Sequence, residues 1–267
     1  MTAPRTADVW ASGAAYEPYV GRWSRLVARE FLAWLGIAPG AEWLDIGCGT
    51  GALTEAILDR AAPARVRAID ASAGYVAYAR AHTPNSRATF AVADARAVPW
   101  AAAAADAVVS GLVLNFVPQP DVALGEWARV ARRGGVVAAY VWDYAEGMQL
   151  MRHFWDAAVA LDPAAAALDE GRRFPLCQPA ALEALWRDAA LRDVAVRALV
   201  VQTPFRDFDD YWKPFLGGQG PAPSYAMTLD PERRERLRER TRAGLPIAAD
   251  GTIAIEARAW AVRGIRP

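Results

Sequence analysis

The sequence is poor in the residues that build metal clusters and disulfide frameworks, with two cysteines and two histidines in 267 residues. Cys48 and Cys177 lie far apart in the chain, so neither a disulfide scaffold nor a cysteine–histidine metal site is expected, only two reduced thiols. Net charge is lacking as well. Thirty basic residues balance thirty acidic ones, which leaves no electrostatic footprint for nucleic acid and no broad attraction to anionic membranes. No apolar run reaches the roughly 18–20 residues a membrane-spanning helix needs. The opening Met1-Thr2-Ala3-Pro4-Arg5 does not read as a signal peptide, so a cytoplasmic location is expected.

What is present is apolar and periodic. Hydrophobic residues make up 54% of the chain, enough for one α/β domain with insertions, while the length is short for two domains. Residues 1–15 read as a mobile arm. Trp23, Leu26, Val27, Phe31, Trp34 and Leu35 then recur at helical spacing until Gly36. A short strand over 43–46 is followed by glycines, with Thr50 as N-cap of a helix over 51–60. Strands over 65–70, 87–93, 106–115 and 136–143 alternate with helices over 72–82 and 121–132. This rhythm predicts a parallel sheet covered on both faces. Beyond Tyr144 come an apolar helical stripe over 148–159, a helix opened by Pro179, and two β-rich segments over 194–203 and 252–262. Between those segments lies an insertion rich in aromatics, glycine and proline, whose stretch 205–223 suits a shaped loop better than a regular helix.

The most informative segment is Leu44-Asp45-Ile46-Gly47-Cys48-Gly49-Thr50-Gly51. Glycines between a strand and a helix let the backbone turn tightly and approach a ligand, while the helix start offers unpaired N–H groups. Alone, the pattern also satisfies a loose dinucleotide fingerprint, Gly47-x-Gly49-x-x-Ala52. Three strand-end acids add to it. Asp45 can answer a cationic amine, Asp70 can accept both hydroxyls of a ribose, and Asp94 beside the Ala95 N–H can read an adenine edge. Together they suit, in order, the parts of one nucleoside ligand bearing an amine.

With these motifs, LDIGCGTG, RVRAIDAS, VADA, DAVVSGLVLNFVPQP and the RVARRGG turn, the chain resembles the class I methyltransferases. It is most similar to the type 11 branch that includes ubiquinone- and menaquinone-biosynthesis enzymes, and the likeness covers about 16–143. The resemblance implies a Rossmann-like seven-stranded sheet, mostly parallel with the last strand antiparallel. It implies S-adenosylmethionine as cofactor, S-adenosylhomocysteine as product, a small-molecule acceptor, and no metal. It places the methionyl part on Gly47, Cys48, Gly49 and Gly51, the ribose on Asp70 with Ala71, and the adenine on Asp94 and Ala95. Ser110 and Leu112 would border the sulfonium, and Tyr19 and Trp23 would cover the cofactor. A single domain is expected, with 16–143 as cofactor core and 144–190 and 206–250 as insertions capping the substrate.

Transfer from a sulfonium needs positioning more than a base. The ends of the fourth and fifth strands offer Asn115, Phe116, Trp142 and Tyr144 to a substrate, and Trp212 of the insertion can add an aromatic wall. Asp143 and His153 are the candidate bases. A nicotinamide-dependent oxidoreductase and a cofactor-binding regulator without turnover stay open as alternatives. His82 reads as a cation at a helix C-terminus, and the arginine-rich run over 233–242 as a solvated helical face.

Overall fold

Strands β1 (Glu42–Ile46), β2 (Arg65–Asp70), β3 (Ala88–Val92), β4 (Ala105–Gly111), β5 (Ala131–Trp142), β6 (Arg192–Phe205) and β7 (Ile253–Ile265) form one sheet in the order β3-β2-β1-β4-β5-β7-β6. The computed structural model describes residues 20–218 and 220–267. Strands β1 to β5 pair in parallel, and β7 runs antiparallel to both β5 and β6. The sheet is the seven-stranded, mostly parallel arrangement the sequence implies. Its strand order reverses between β1 and β4, and in open α/β sheets such a switch point opens a crevice at the strands' carboxyl ends.

Local sequence explains the boundaries. In β1, Trp43, Leu44 and Ile46 are buried, the continuous apolar run of a strand covered on both faces. Helix α1 (Arg22–Leu35) stops where Gly36 turns left-handed at φ 60 and returns its N–H to the Leu32 carbonyl. Helix α2 (Ala52–Arg60) follows β1. Ser72 opens α3 (Ala73–His82) by accepting from the Tyr75 N–H, and Pro120 occupies the first turn of α4 (Pro120–Val130). Helix α1 packs against α2 and the β6–β7 pair, α3 against β2 and β3, and α4 against β4 and β5. The tryptophans Trp43, Trp127, Trp142, Trp155 and Trp186 are fully buried. Three of them find partners for their N–H groups: Trp127 donates to Ala95 O at 3.0 Å, Trp186 to Val137 O at 2.9 Å and Trp155 to the Glu170 carboxylate.

Beyond β5 come α5 (Gln149–Leu161), α6 (Glu170–Arg173) and α7 (Pro179–Asp188), and between β6 and β7 come α8 (Phe208–Trp212), α9 (Pro221–Thr228) and α10 (Pro231–Gly244). Three local expectations need correction. Thr50 is not an N-cap: Gly51 takes that position at φ 97, without a side-chain bond. The fourth strand ends at Gly111 rather than continuing to 115, because Leu112 adopts φ 62 and a 3₁₀ turn follows at Leu114–Phe116. The insertion's proline and glycine stretch is largely helical. Its prolines occupy first turns, where their missing N–H costs nothing. The proposed N-terminal arm and Tyr19 lie outside the described residues.

Candidate functional site

A cavity opens at the switch point, enclosing about 950 Å³ including solvent at its mouth. One wall is the loop after β1, where Gly47, Gly49 and Gly51 all have positive φ. At Gly47 the need for glycine is double. Its φ is 75, and a Cβ there would fall 2.5 Å from Val113 Cγ1. Gly49, at φ 52, would meet nothing within 4 Å, so its backbone faces open cavity. The loop is tied to the sheet by Gly47 N and Cys48 N, which donate to the Ile69 carbonyl at 2.7 and 2.9 Å.

Asp70 closes the end of that wall. Its Oδ2 accepts from Gly49 N at 3.0 Å and its Oδ1 from Ser72 N at 2.8 Å. Burial raises its pKa, and these two N–H donors oppose the rise. A carboxylate has about four acceptor positions, so each oxygen keeps capacity toward the cavity. The Cys48 thiol also lines the loop, and burial pushes it well above the ordinary range. Burial thus favours the neutral thiol over the thiolate a nucleophile needs.

Asp45 lies behind the loop, fully buried, with Oδ2 accepting from Thr54 Oγ1 at 2.6 Å. Its Oδ1 has no hydrogen-bond partner among the described residues. Burial first, then the nearby Asp70 charge, pushes its pKa up to about 7 against the Thr54 bond. An unfolded aspartate titrates near ~3.9. The folded chain therefore binds the extra proton between about 4 and about 7, and stability falls as pH rises through that window. Asp45→Asn should melt above the parent at pH 8 and lose that advantage by pH 4. Thermal scans showing a constant difference across the range would remove Asp45 as the source.

The opposite wall comes from β4, β5 and the flanking helices. Leu112 and Val113 follow β4 and Phe116 ends the 3₁₀ turn, while Tyr140, Trp142 and Tyr144 come from β5 and its exit. A Cβ on Gly111 would fall 2.5 Å from the Tyr140 hydroxyl, so glycine there lets this phenol reach the β4 end. Val20 and Ser24 reach in one helical turn apart, and Met151 reaches in from α5.

Several expected residues lie elsewhere. Trp23 turns from the cavity to meet the Phe205 ring edge-on at 5.6 Å. Asp94 is exposed and held by Arg96, with Nη2 at 2.7 Å and the Arg96 N–H at 2.8 Å. These bonds lower its pKa. It and its neighbour Ala95 are not among the lining residues, and neither are Ala71, Gly51 and Ser110. The Ser110 hydroxyl and the Asn115 amide are buried without partners among the described residues, beside the cavity rather than in it.

Both candidate bases are displaced by packing. Asp143 is buried and bound by Arg258 of β7, Nη2 at 2.6 Å, while also accepting from Glu146 N. His153 is half-buried on α5, bonded to the Gly244 main chain, and burial lowers its pKa. Trp212 sits in an aromatic cluster with Phe154, Phe208 and Phe215. No described residue of 206–250 lines the cavity.

Several lining residues went unread in the sequence. Tyr75, one turn past the Ser72 cap, and the pair Val20/Ser24 were legible only as helical positions. Met151 belonged to a stripe indistinguishable from core. Among the described residues there is no cluster suited to a metal and no helix long and apolar enough to cross a membrane. Both cysteines are buried and unpaired.

Glycine loop, strand-end carboxylate and cavity come together at the switch point of a Rossmann-like sheet. Residues 44–139 match the family described as a methyltransferase domain, and this part of the chain is similar to several curated methyltransferases. It is 39% identical over 92 residues to malonyl-[acyl-carrier protein] O-methyltransferase of Hahella chejuensis, covering 34% of this chain and 33% of the relative. It is 36% identical over 121 residues to demethylmenaquinone methyltransferase of Renibacterium salmoninarum, covering 45% and 48%. A third relative, trans-aconitate 2-methyltransferase of Azoarcus sp., is 36% identical over 112 residues, covering 42% and 43%. The matches thus span half or less of these relatives' length. In fold, the chain resembles Haemonchus contortus phosphoethanolamine N-methyltransferase 2 with S-adenosylhomocysteine bound, at TM-score 0.59 and 17% identity over 95% of this chain and 56% of that one. It also resembles the [4+2]-cyclase SpnF, at TM-score 0.54 and 19% identity over 98% and 86%.

Proposed function

We propose that this protein transfers the methyl group of S-adenosylmethionine to a small organic acceptor. The observation that carries the reading is the two-sided cavity, with a glycine loop and Asp70 on one wall and apolar and aromatic side chains on the other. The residues fit the cofactor's parts. Gly49 leaves room for close backbone approach, Asp70 keeps acceptor positions for ribose hydroxyls, and Asp45 holds an orphaned carboxylate oxygen behind the loop.

The cofactor supplies a methyl group already activated by its sulfonium. The chain's part is to hold the acceptor against it and keep water out. Leu112, Tyr140 and Trp142 shape that space, and positioning of this kind is worth roughly 7–11 kcal/mol. No histidine or lysine lines the cavity among the described residues, and Asp70 is its one carboxylate.

Calorimetry tests the reading directly. S-adenosylmethionine and S-adenosylhomocysteine should bind with measurable heat and NAD should not. Binding of NAD without either sulfur compound would return the glycine loop to the dinucleotide alternative.

A further inference from the structure

Glu170 opens the short helix α6 and is buried. Its Oε2 accepts from the Trp155 indole N–H, and its Oε1 has no hydrogen-bond partner among the described residues. The guanidinium that could answer a charge there is taken. Arg152 of α5 gives Nη2 to Asp169 Oδ1 at 2.6 Å and Nη1 to Asp169 Oδ2 at 3.1 Å, while its Nε is buried and unpaired. Asp169, buried as well, also caps α6 by accepting from Gly171 N at 2.9 Å. Two adjacent buried carboxyls thus compete for one guanidinium. Arg152 balances one of them, and a second ionised carboxylate would be buried uncompensated, which is strongly unfavourable.

This arrangement favours a proton on Glu170. Burial first, and then the Asp169 charge, push its pKa up to about 7 against its own N–H, the Trp155 bond and the pull of Arg152. Arg172 and Arg173 of its own turn, and His153 and Asp156 of α5, are not among the groups that shift it. The 3₁₀ turn Pro163–Ala167 packed against α6 carries no titratable side chain. What α6 holds in place gives this proton a consequence. Phe174 follows the helix and returns its N–H to Glu170 O at 3.0 Å. Its ring meets Phe116 at 5.1 Å and Tyr144 at 5.5 Å, two residues of the cavity wall. A Cβ on Gly171 would fall 2.9 Å from Tyr144 O, so the turn lies directly on the exit of β5. We infer that neutral Glu170 is a positioning residue: it seats α6, and with it Phe174, against the cavity wall, and its ionisation unseats them. The inference does not depend on what the cavity binds.

Hydrogen exchange of the full chain tests it, with amide rates over 169–177 expressed as protection factors so that the chemical pH dependence divides out. Between about pH 6 and about pH 8.5, protection there should fall at least tenfold. The same fall should appear in Asp45→Asn, which removes the other buried carboxyl that titrates in this range. In Glu170→Gln, whose amide copies the neutral acid, protection should change less than threefold. Asp169→Asn keeps a capping oxygen for Gly171 N but frees Arg152 to pair with an ionised Glu170, so its fall should also shrink below threefold. That variant carries the test should Glu170→Gln fail to fold. Constant protection in the parent chain overturns the inference. So does an equal fall in Glu170→Gln or in Asp169→Asn, and so does a fall that Asp45→Asn abolishes.

Discussion

Replacing Asp70 by alanine should weaken S-adenosylhomocysteine binding by about a hundredfold, or ~2.7 kcal/mol. Hydrogen bonds to a charged group contribute about 1.5–3 kcal/mol each, and a ribose offers two hydroxyls. Partial solvent access reduces that sum. The same substitution removes the acceptor that holds Gly49 N at 3.0 Å, so the loop loses its tether together with its ligand contact. Asp70→Asn, which keeps one carbonyl acceptor, should fall between parent and alanine. Calorimetry alongside a thermal melt distinguishes a lost contact from a lost fold. An unchanged dissociation constant in a folded Asp70→Ala protein would move the ribose site elsewhere.

The second large effect is one of stability. Phe215 is fully buried and stacks on Phe154 at 4.5 Å, with Tyr211 and Trp212 packed around it. Truncating a buried phenylalanine costs about 3–5 kcal/mol, and at ~2–4 °C per kcal/mol for a chain of this size the melting point should drop by roughly 10 °C. Affinity for S-adenosylhomocysteine should stay within threefold, because no described residue of 206–250 lines the cavity. The sequence suggested that this aromatic stretch covers the substrate directly. In the structure its rings turn into their own cluster and touch α5, the helix that carries Met151 into the cavity. Its influence on an acceptor would run through that helix. A Phe215→Ala protein that melts like the parent but binds cofactor poorly would contradict this arrangement.

What could be read in advance follows the length scale of the cause. The glycine loop was legible because three positive-φ positions, a strand end and a helix start all fall within eight residues. Asp70 was legible for the same reason, as a carboxylate ending a strand beside that loop. Asp143 looked equally well placed at the end of β5. What removes it from the cavity is Arg258, more than a hundred positions along the chain, which only the β5–β7 pairing brings alongside. Trp23 shows the same limit on one helix. Its neighbours Val20 and Ser24 face the cavity while it faces Phe205, and choosing between those faces requires knowing what packs on each. The left-handed Leu112, which cuts β4 short, had no local signature, since a leucine rarely adopts that conformation unless its surroundings impose it.

The pairing of β6 with β7 ends at Phe205 opposite Ile253. The chain that builds α8, α9 and α10 therefore leaves the sheet and re-enters it one strand spacing apart, about 4.8 Å. Everything between those two points hangs from a single hairpin neck. Residues added or deleted there need not shift the register of any strand, so this stretch can change length and content over evolutionary time while the crevice between β1 and β4 keeps its shape. The fold thus confines its freedom to vary to a place joined to the sheet by one neck, while the Phe154–Phe215 stack and the Tyr211 bond to Leu150 O make the present insertion a brace for the helix beneath it.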